Sequence, residues 1–123
     1  LMLQHKEPID FVLSTGIKTS VRDFVILAFN EIGVEIKFQG EGLNEKGIVF
    51  KNSGKYNLKK GHEVIKVDSQ YYRPSEVDLL LGDSSKAKEI LGWIPKYDLK
   101  MLVKEMVSSD IDMVINKKNL YNF

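Results

Sequence analysis

The sequence predicts a small α/β domain, and three observations carry that expectation. Short runs of β-branched and aromatic residues alternate along the chain with stretches whose apolar residues recur at helical spacing. The first two helical stretches are bracketed by an N-capping residue and a terminating glycine. A length of 123 residues and a hydrophobic fraction of 43% suit one ordinary core, or a piece of a larger one.

Taken in order, Ile9 to Thr15 (IDFVLST) are apolar and β-prone and stop at Gly16, which predicts a short buried strand. TSVRDFVILAFNEIG predicts a helix. Ser20 is a good N-cap, and Asp23 three residues on gives a capping-box-like start. Val21, Phe24, Val25, Ala28, Phe29 and Ile32 share one face, opposite Arg22, Asn30 and Glu31, and Gly33 supplies the stop. VEIKF predicts a strand with Val34, Ile36 and Phe38 on one side.

From Gly40 to Gly61 the glycines at 40, 42, 47, 54 and 61 punctuate a lysine-rich stretch without sustained periodicity. That pattern predicts a long irregular loop and the most mobile internal segment. HEVIKVD returns to strand-like alternation. DSSKAKEILGW predicts a short helix capped at Asp83 and closed by Gly92. Trp93 and Pro95 turn the chain into a third helix beginning near Asp98. Its stripe is Leu99, Leu102, Val103, Met106, Val107, Met113 and Val114. The tail NKKNLYNF carries no clear pattern, and no internal repeat is present.

Composition narrows the classes of function. With no cysteine there is neither a disulfide framework nor a thiolate metal site. No apolar run reaches the length of a membrane span, so a soluble, cytoplasmic protein without a membrane partner is the expectation. Eighteen basic against seventeen acidic side chains leave a net charge of +1, too balanced to argue for nucleic-acid binding. Leu1 stands ahead of Met2, and the expectation is that the beginning of the protein lies upstream.

One stretch has an order of residues that neither a plain strand nor a plain helix requires: DSQYYRPSEVDLLLGD, Asp68 to Asp83. Pro74 biases Arg73 toward extended backbone and so restricts where its guanidinium points. A planar, permanently charged fork suits phosphate oxygens better than an ammonium does. Glu76, three residues on, is placed to accept from ribose hydroxyls beside such a phosphate. The competing account is a surface arginine paired with a nearby acid, a common and energetically modest arrangement.

Other candidates read as ordinary. Tyr56 and Lys60 have the four-residue spacing of a catalytic Tyr-x-x-x-Lys pair, but that pair needs a helix, and SGKYNLKKGH has glycine on both sides and no amphipathic face. His5 and His62 belong to no ligand-spaced cluster. Lysines 51, 55, 59, 60 and 66 around Tyr56 fit a solvated loop better than a nucleic-acid patch. Tyr71, Tyr72 and Trp93 have the stacking surface for a base, but packing is the default for aromatics. No dinucleotide fingerprint, P-loop or Ser/His/Asp arrangement is present.

The order of these pieces resembles the C-terminal portion of the GDP-mannose 4,6-dehydratases, in the extended short-chain dehydrogenase/reductase superfamily. The likeness runs from about Leu1 to Asn116. DFVLSTGIKTSVRDFV resembles the family's strand, Thr-Gly loop and helix. FQGEGLNEKG resembles its glycine-rich substrate-side loop. The Tyr-x-Arg-Pro-x-Glu-Val within VDSQYYRPSEVDLLLGD is the most diagnostic part. GD-x-x-KA-x-x-x-LGW-x-P is shared more widely among nucleotide-sugar enzymes.

The resemblance implies a C-terminal substrate-binding part of a Rossmann-type fold, with short strands and about three helices. It implies that Arg73 binds the sugar-nucleotide pyrophosphate and Glu76 the guanosine ribose. It places the Phe38 to Gly42 loop, with Gly40, beside the nucleotide. In the family NADP takes a hydride from C4 of the mannose, water is eliminated across C5 and C6, and the hydride returns to C6. The family's cofactor turn and catalytic Thr/Ser, Glu and Tyr-x-x-x-Lys belong to an N-terminal region. On this reading residues 1–123 carry no catalytic, cofactor-binding or metal-binding residue, and the isolated chain is inactive. Assembly as dimers or tetramers is also implied. The rival readings are another nucleotide-sugar dehydratase or epimerase, a free-standing binding module, and a nucleic-acid binder using the lysine-rich stretch.

Overall fold

Helix α1 (Val21–Glu31) starts where its cap stands. Ser20 Oγ accepts from the Asp23 backbone N–H at 3.0 Å and donates to Asp23 Oδ2 at 2.6 Å, so cap and first-turn acid hold each other. The helix stops at Gly33, whose φ of +75° continues the chain in the left-handed region. The computed structural model describes residues 1–73 and 80–120. Beyond α1 they form β1 (Val34–Gln39), β2 (Lys46–Asn52), β3 (Glu63–Lys66), α2 (Ser85–Leu91) and α3 (Leu99–Leu120). Three helices and short strands were expected, and the described residues have them.

The strands make an antiparallel sheet in the order β1-β2-β3. Alternation on β1 buries Val34 and Ile36 and exposes Glu35 and Lys37. Val34, Ile36 and Val49 form the buried cluster, and Val25, Ile26, Phe29 and Ile32 of α1 and its end pack on it. Val21, expected on the same face, is exposed. Helix α3 packs against α1. Its N-terminus is capped by Asp98, whose Oδ1 accepts from Met101 N–H at 2.8 Å.

Two expectations are corrected. The stretch from Gly40 to Gly61 is not one irregular loop, because β2 runs through it as the central strand with Val49 1% exposed. Its irregular remainder is also organised. Asn52 Nδ2 donates to the carbonyls of Tyr56 (2.7 Å) and Leu58 (2.9 Å), and its Oδ1 accepts from Gly54 N–H. The second correction concerns Ile9 to Thr15, which form no strand. They run beside residues 82–86, with Ser14 Oγ donating to the Gly82 carbonyl at 2.7 Å and Lys86 Nζ to the Asp10 carbonyl at 2.9 Å. A β-prone run becomes a strand only when a ladder partner is available.

Helix α2 has Ser84 at its N-cap and not the expected Asp83, whose Oδ1 instead accepts from the Ser85 N–H just before the helix, and it ends at Gly92 with φ +63° as expected. Helix α3 continues through the patternless tail as far as Leu120. Of its expected stripe, Val103 is buried and Leu99 and Val107 are half-buried, with Ile111 continuing that row. Leu102, Met106, Met113 and Val114 remain exposed, because the row that meets α1 is the i, i+4 series and not the whole stripe.

Candidate functional site

The site is built from the end of β3 outward. β3 finishes at Lys66, and Asp68 then folds the chain into a turn. Asp68 Oδ1 accepts from Gln70 N–H at 2.9 Å, and its carbonyl accepts from the N–H groups of Tyr71 and Tyr72 at 3.1 Å. This local closure places Tyr71, Tyr72 and Arg73 with Lys66 and Asp68 in the lining of a cleft of about 660 Å³. A second cleft of about 380 Å³ lies between Lys66, Asp68 and Ser69 and Leu43 of the preceding loop. The two share Lys66, Val67 and Asp68.

The loop and the Arg73 corner meet. A β-carbon on Gly42 would lie 3.4 Å from the Tyr72 hydroxyl. Gly40 sits at φ +84°, and any β-carbon there would run into the Asn44 carbonyl oxygen, so only glycine fits this turn. Gly40 therefore shapes the loop and does not line either cleft. The loop's far end is anchored to α1, with Arg22 Nε donating to Glu45 Oε1 at 2.9 Å while the guanidinium lies over Phe38. Of the three expected site residues, Arg73 and Gly40 are thus brought to neighbouring segments. Glu76 lies outside the described residues.

Among the described residues, Arg73 and Lys66 are the cations lining the larger cleft, and Asp68, the acid there, accepts from the Gln70 N–H of its own turn. Another concavity, about 450 Å³, lies between α1, residues 56–58 and α3. It is walled by Phe29, Ile32, Leu58, Val107 and Ile111, with Asp110 as its charged group. Apolar walls and a carboxylate do not suit a phosphate.

The remaining sequence candidates fall as follows. Tyr56 and Lys60 stand on an irregular segment, not a helix. His5 Nδ1 faces the backbone of Glu7, and among the described residues no three His, Cys, Asp or Glu side chains gather as a metal site. Lys37 and Lys60 lie over the Phe50 ring, and Lys51 pairs with Glu35 at 3.6 Å. No described helix is long and apolar enough to cross a membrane. Asp83 holds its carboxyl below the ordinary aspartate value, because the Ser85 hydroxyl and then the Ser85 N–H donate to it. That pair starts α2 and is structural.

Sequence reasoning placed Lys66 among the solvated lysines, and the structure has it lining the same cleft as Arg73. That placement follows from strand pairing, which no local pattern reveals.

Comparison with known proteins gives a consistent result. The chain is 43% identical to a GDP-mannose 4,6-dehydratase of Vibrio cholerae serotype O1 over 99% of its own length and 34% of that protein. It is 47% identical to a GDP-mannose 4,6 dehydratase of Dictyostelium discoideum over 94% of the chain and 30% of the relative. The corresponding figures for GDP-mannose 4,6 dehydratase 2 of Caenorhabditis elegans are 47%, 92% and 27%. The chain therefore spans about a third of the length of the curated relatives it matches. With residues 1–106 matching the family model described as GDP-mannose 4,6 dehydratase, the chain belongs to that family.

Proposed function

We propose that this chain is the substrate-binding part of a GDP-mannose 4,6-dehydratase, a lyase that converts GDP-mannose to GDP-4-dehydro-6-deoxy-mannose. Arg73 holds the diphosphate and Glu76 the ribose, while the loop shaped by Gly40 borders the nucleotide. The observation that carries the reading is the cleft of about 660 Å³ in which Arg73 stands, next to the loop containing Gly42. An arginine fork lining a cleft is suited to bidentate contact with a phosphate.

In this reading the hydride chemistry belongs to NADP and is assigned to none of the residues described. The roles left to this chain are binding and orientation: fixing the nucleotide handle so that the sugar is presented to catalytic groups elsewhere. The reading includes a cytoplasmic, homo-oligomeric enzyme. Support for a further protein surface comes from Val12, Leu13, Leu80 and Leu81, apolar side chains 48–82% exposed on neighbouring segments.

The test is Arg73→Lys in the full-length enzyme. An ammonium keeps the charge but not the fork. Losing a charge-assisted hydrogen bond costs about 1.5–3 kcal/mol, so GDP-mannose affinity should fall by about one to two decades. Glu76→Gln should cost less, because an amide still accepts one bond from a ribose hydroxyl. Melting temperature should stay unchanged in both. An unaltered affinity together with a large loss of stability would mean that the corner is scaffolding.

A further inference from the structure

Lys66 stands opposite a like charge across the sheet. Its partner across the β2–β3 ladder is Lys46. Like charges directly opposite one another on an antiparallel pair are destabilising. Lys46 escapes by reaching Glu63, at 2.7 Å. Lys51, the other lysine near the sheet's end, reaches Glu35. Among the described residues Lys66 makes no salt bridge. The acid nearest in sequence, Asp68, spends an oxygen on the Gln70 N–H and faces its own turn. A position that violates a local rule without a structural gain points to function.

Its surroundings say which function. Lys66 lines the cleft of Arg73 on one side and, on the other, the cleft that reaches Leu43. Lys66 is shared by the two clefts, so an elongated anion occupying both would meet it. We propose that Lys66 is a second phosphate anchor: Arg73 takes one phosphoryl group of a nucleoside diphosphate and Lys66 the other, which makes the site selective for diphosphates over monophosphates. This rests on the reading of the cleft as the GDP-mannose site and adds a residue and a selectivity to it. The two cationic side chains divide the labour by chemistry. The guanidinium fixes orientation through its planar fork, and the ammonium acts as a point charge on a flexible stem.

The experiment measures binding of GDP and of GMP to the full-length protein by calorimetry, for wild type, Lys66→Gln, Lys66→Arg and Arg73→Lys, with melting temperatures alongside. Lys66→Gln should weaken GDP about ten-fold, the scale of one charge-assisted contact, and GMP much less. It should also flatten the dependence of GDP affinity on salt. Lys66→Arg should restore most of the affinity. Melting temperature without ligand should hold or rise in Lys66→Gln, because the like-charge pair is gone. If Arg73→Lys weakens GDP while Lys66→Gln leaves it unchanged, the second anchor is refuted and the Arg73 site stands. If neither variant changes GDP affinity, both readings fall. Equal losses for GDP and GMP together with a lower melting temperature would make Lys66 structural and overturn the proposal.

Discussion

Gly47→Ala adds a single methyl group at the centre of the sheet, and the structure sets its cost. The added β-carbon would lie 2.8 Å from Ile65 Cβ, 3.0 Å from Ile65 Cγ1 and 3.5 Å from Phe38 Cε1. Directly opposed residues on an antiparallel pair ordinarily hold their β-carbons about 4.5–5.5 Å apart. Here the register shift between Gly47 and Ile48 brings β2 and β3 closer than that. Ile65 cannot evade the methyl by changing rotamer, because its Cβ is fixed to the backbone of β3. Relief therefore requires the two strands to separate. Overpacking of this kind costs about 1–3 kcal/mol, and alanine recovers about 0.5–1 kcal/mol of backbone entropy relative to glycine. At the middle of both ranges the net loss is about 1 kcal/mol, or about 3–6 °C in melting temperature for a domain of this size. Thermal unfolding followed by far-ultraviolet circular dichroism measures it. An unchanged or raised melting temperature would refute the close approach and, with it, the account of why glycine stands there.

Asn52→Ala removes three hydrogen bonds that tie residues 54–58 to β2, and should destabilise by about 1–3 kcal/mol while speeding amide exchange across 53–58. Slow exchange in that variant would mean that the segment is held by something else. Asp83 has a folded-state pKa below its unfolded value, so its contribution is present above the ordinary aspartate range and is lost as pH falls through the lowered folded value. The first turn of α2 should therefore fray in acid below that range, and Asp83→Asn should remove this step from a pH titration followed by NMR. A titration of Asp83 at or above the ordinary aspartate value would contradict the Ser85 contacts.

Local chemistry made much of the fold legible. Ser20 and Gly33 bracket α1, Asp83 and Gly92 bracket α2, and Asp98 opens α3, each through hydrogen bonds within a few residues of sequence. Pairing was not legible. GIVF in β2 and IDFVLS near the start are runs of the same kind, yet the first is the central strand and the second has no ladder. The glycines around β2 obscured it, although the run Ile48, Val49, Phe50 between Gly47 and Asn52 was a usable strand signal. For α3 the stripe was visible but not which half of it meets α1, since that depends on the crossing of two helices. Arg73 was legible because a proline and an acid stand at fixed offsets from it. Lys66 was not, since its opposition to Lys46 exists only once β2 and β3 are in register.

The strand hidden in the sequence also supports the proposed site. β3 is four residues long and joins the sheet through β2, and its last residue, Lys66, opens the turn that carries Tyr72 and Arg73. Had residues 40–61 been a mobile loop, β3 and Lys66 would have had no strand to pair with. β2 supplies two supports. Its ladder holds Lys66 in place, and its first residues follow directly from the loop that Gly40 shapes and Arg22 anchors. A site that must place two phosphoryl groups needs its supports fixed to well under an ångström, which strands provide and loops do not. Gly47 stands at the point where both supports meet, paired with Ile65 across the ladder and in contact with Phe38 beside the loop. Strain introduced there reaches the sheet and the cleft together, so Gly47→Ala should lower GDP affinity as well as stability. If stability falls and GDP affinity at low temperature does not, the cleft is held independently of the β2–β3 ladder.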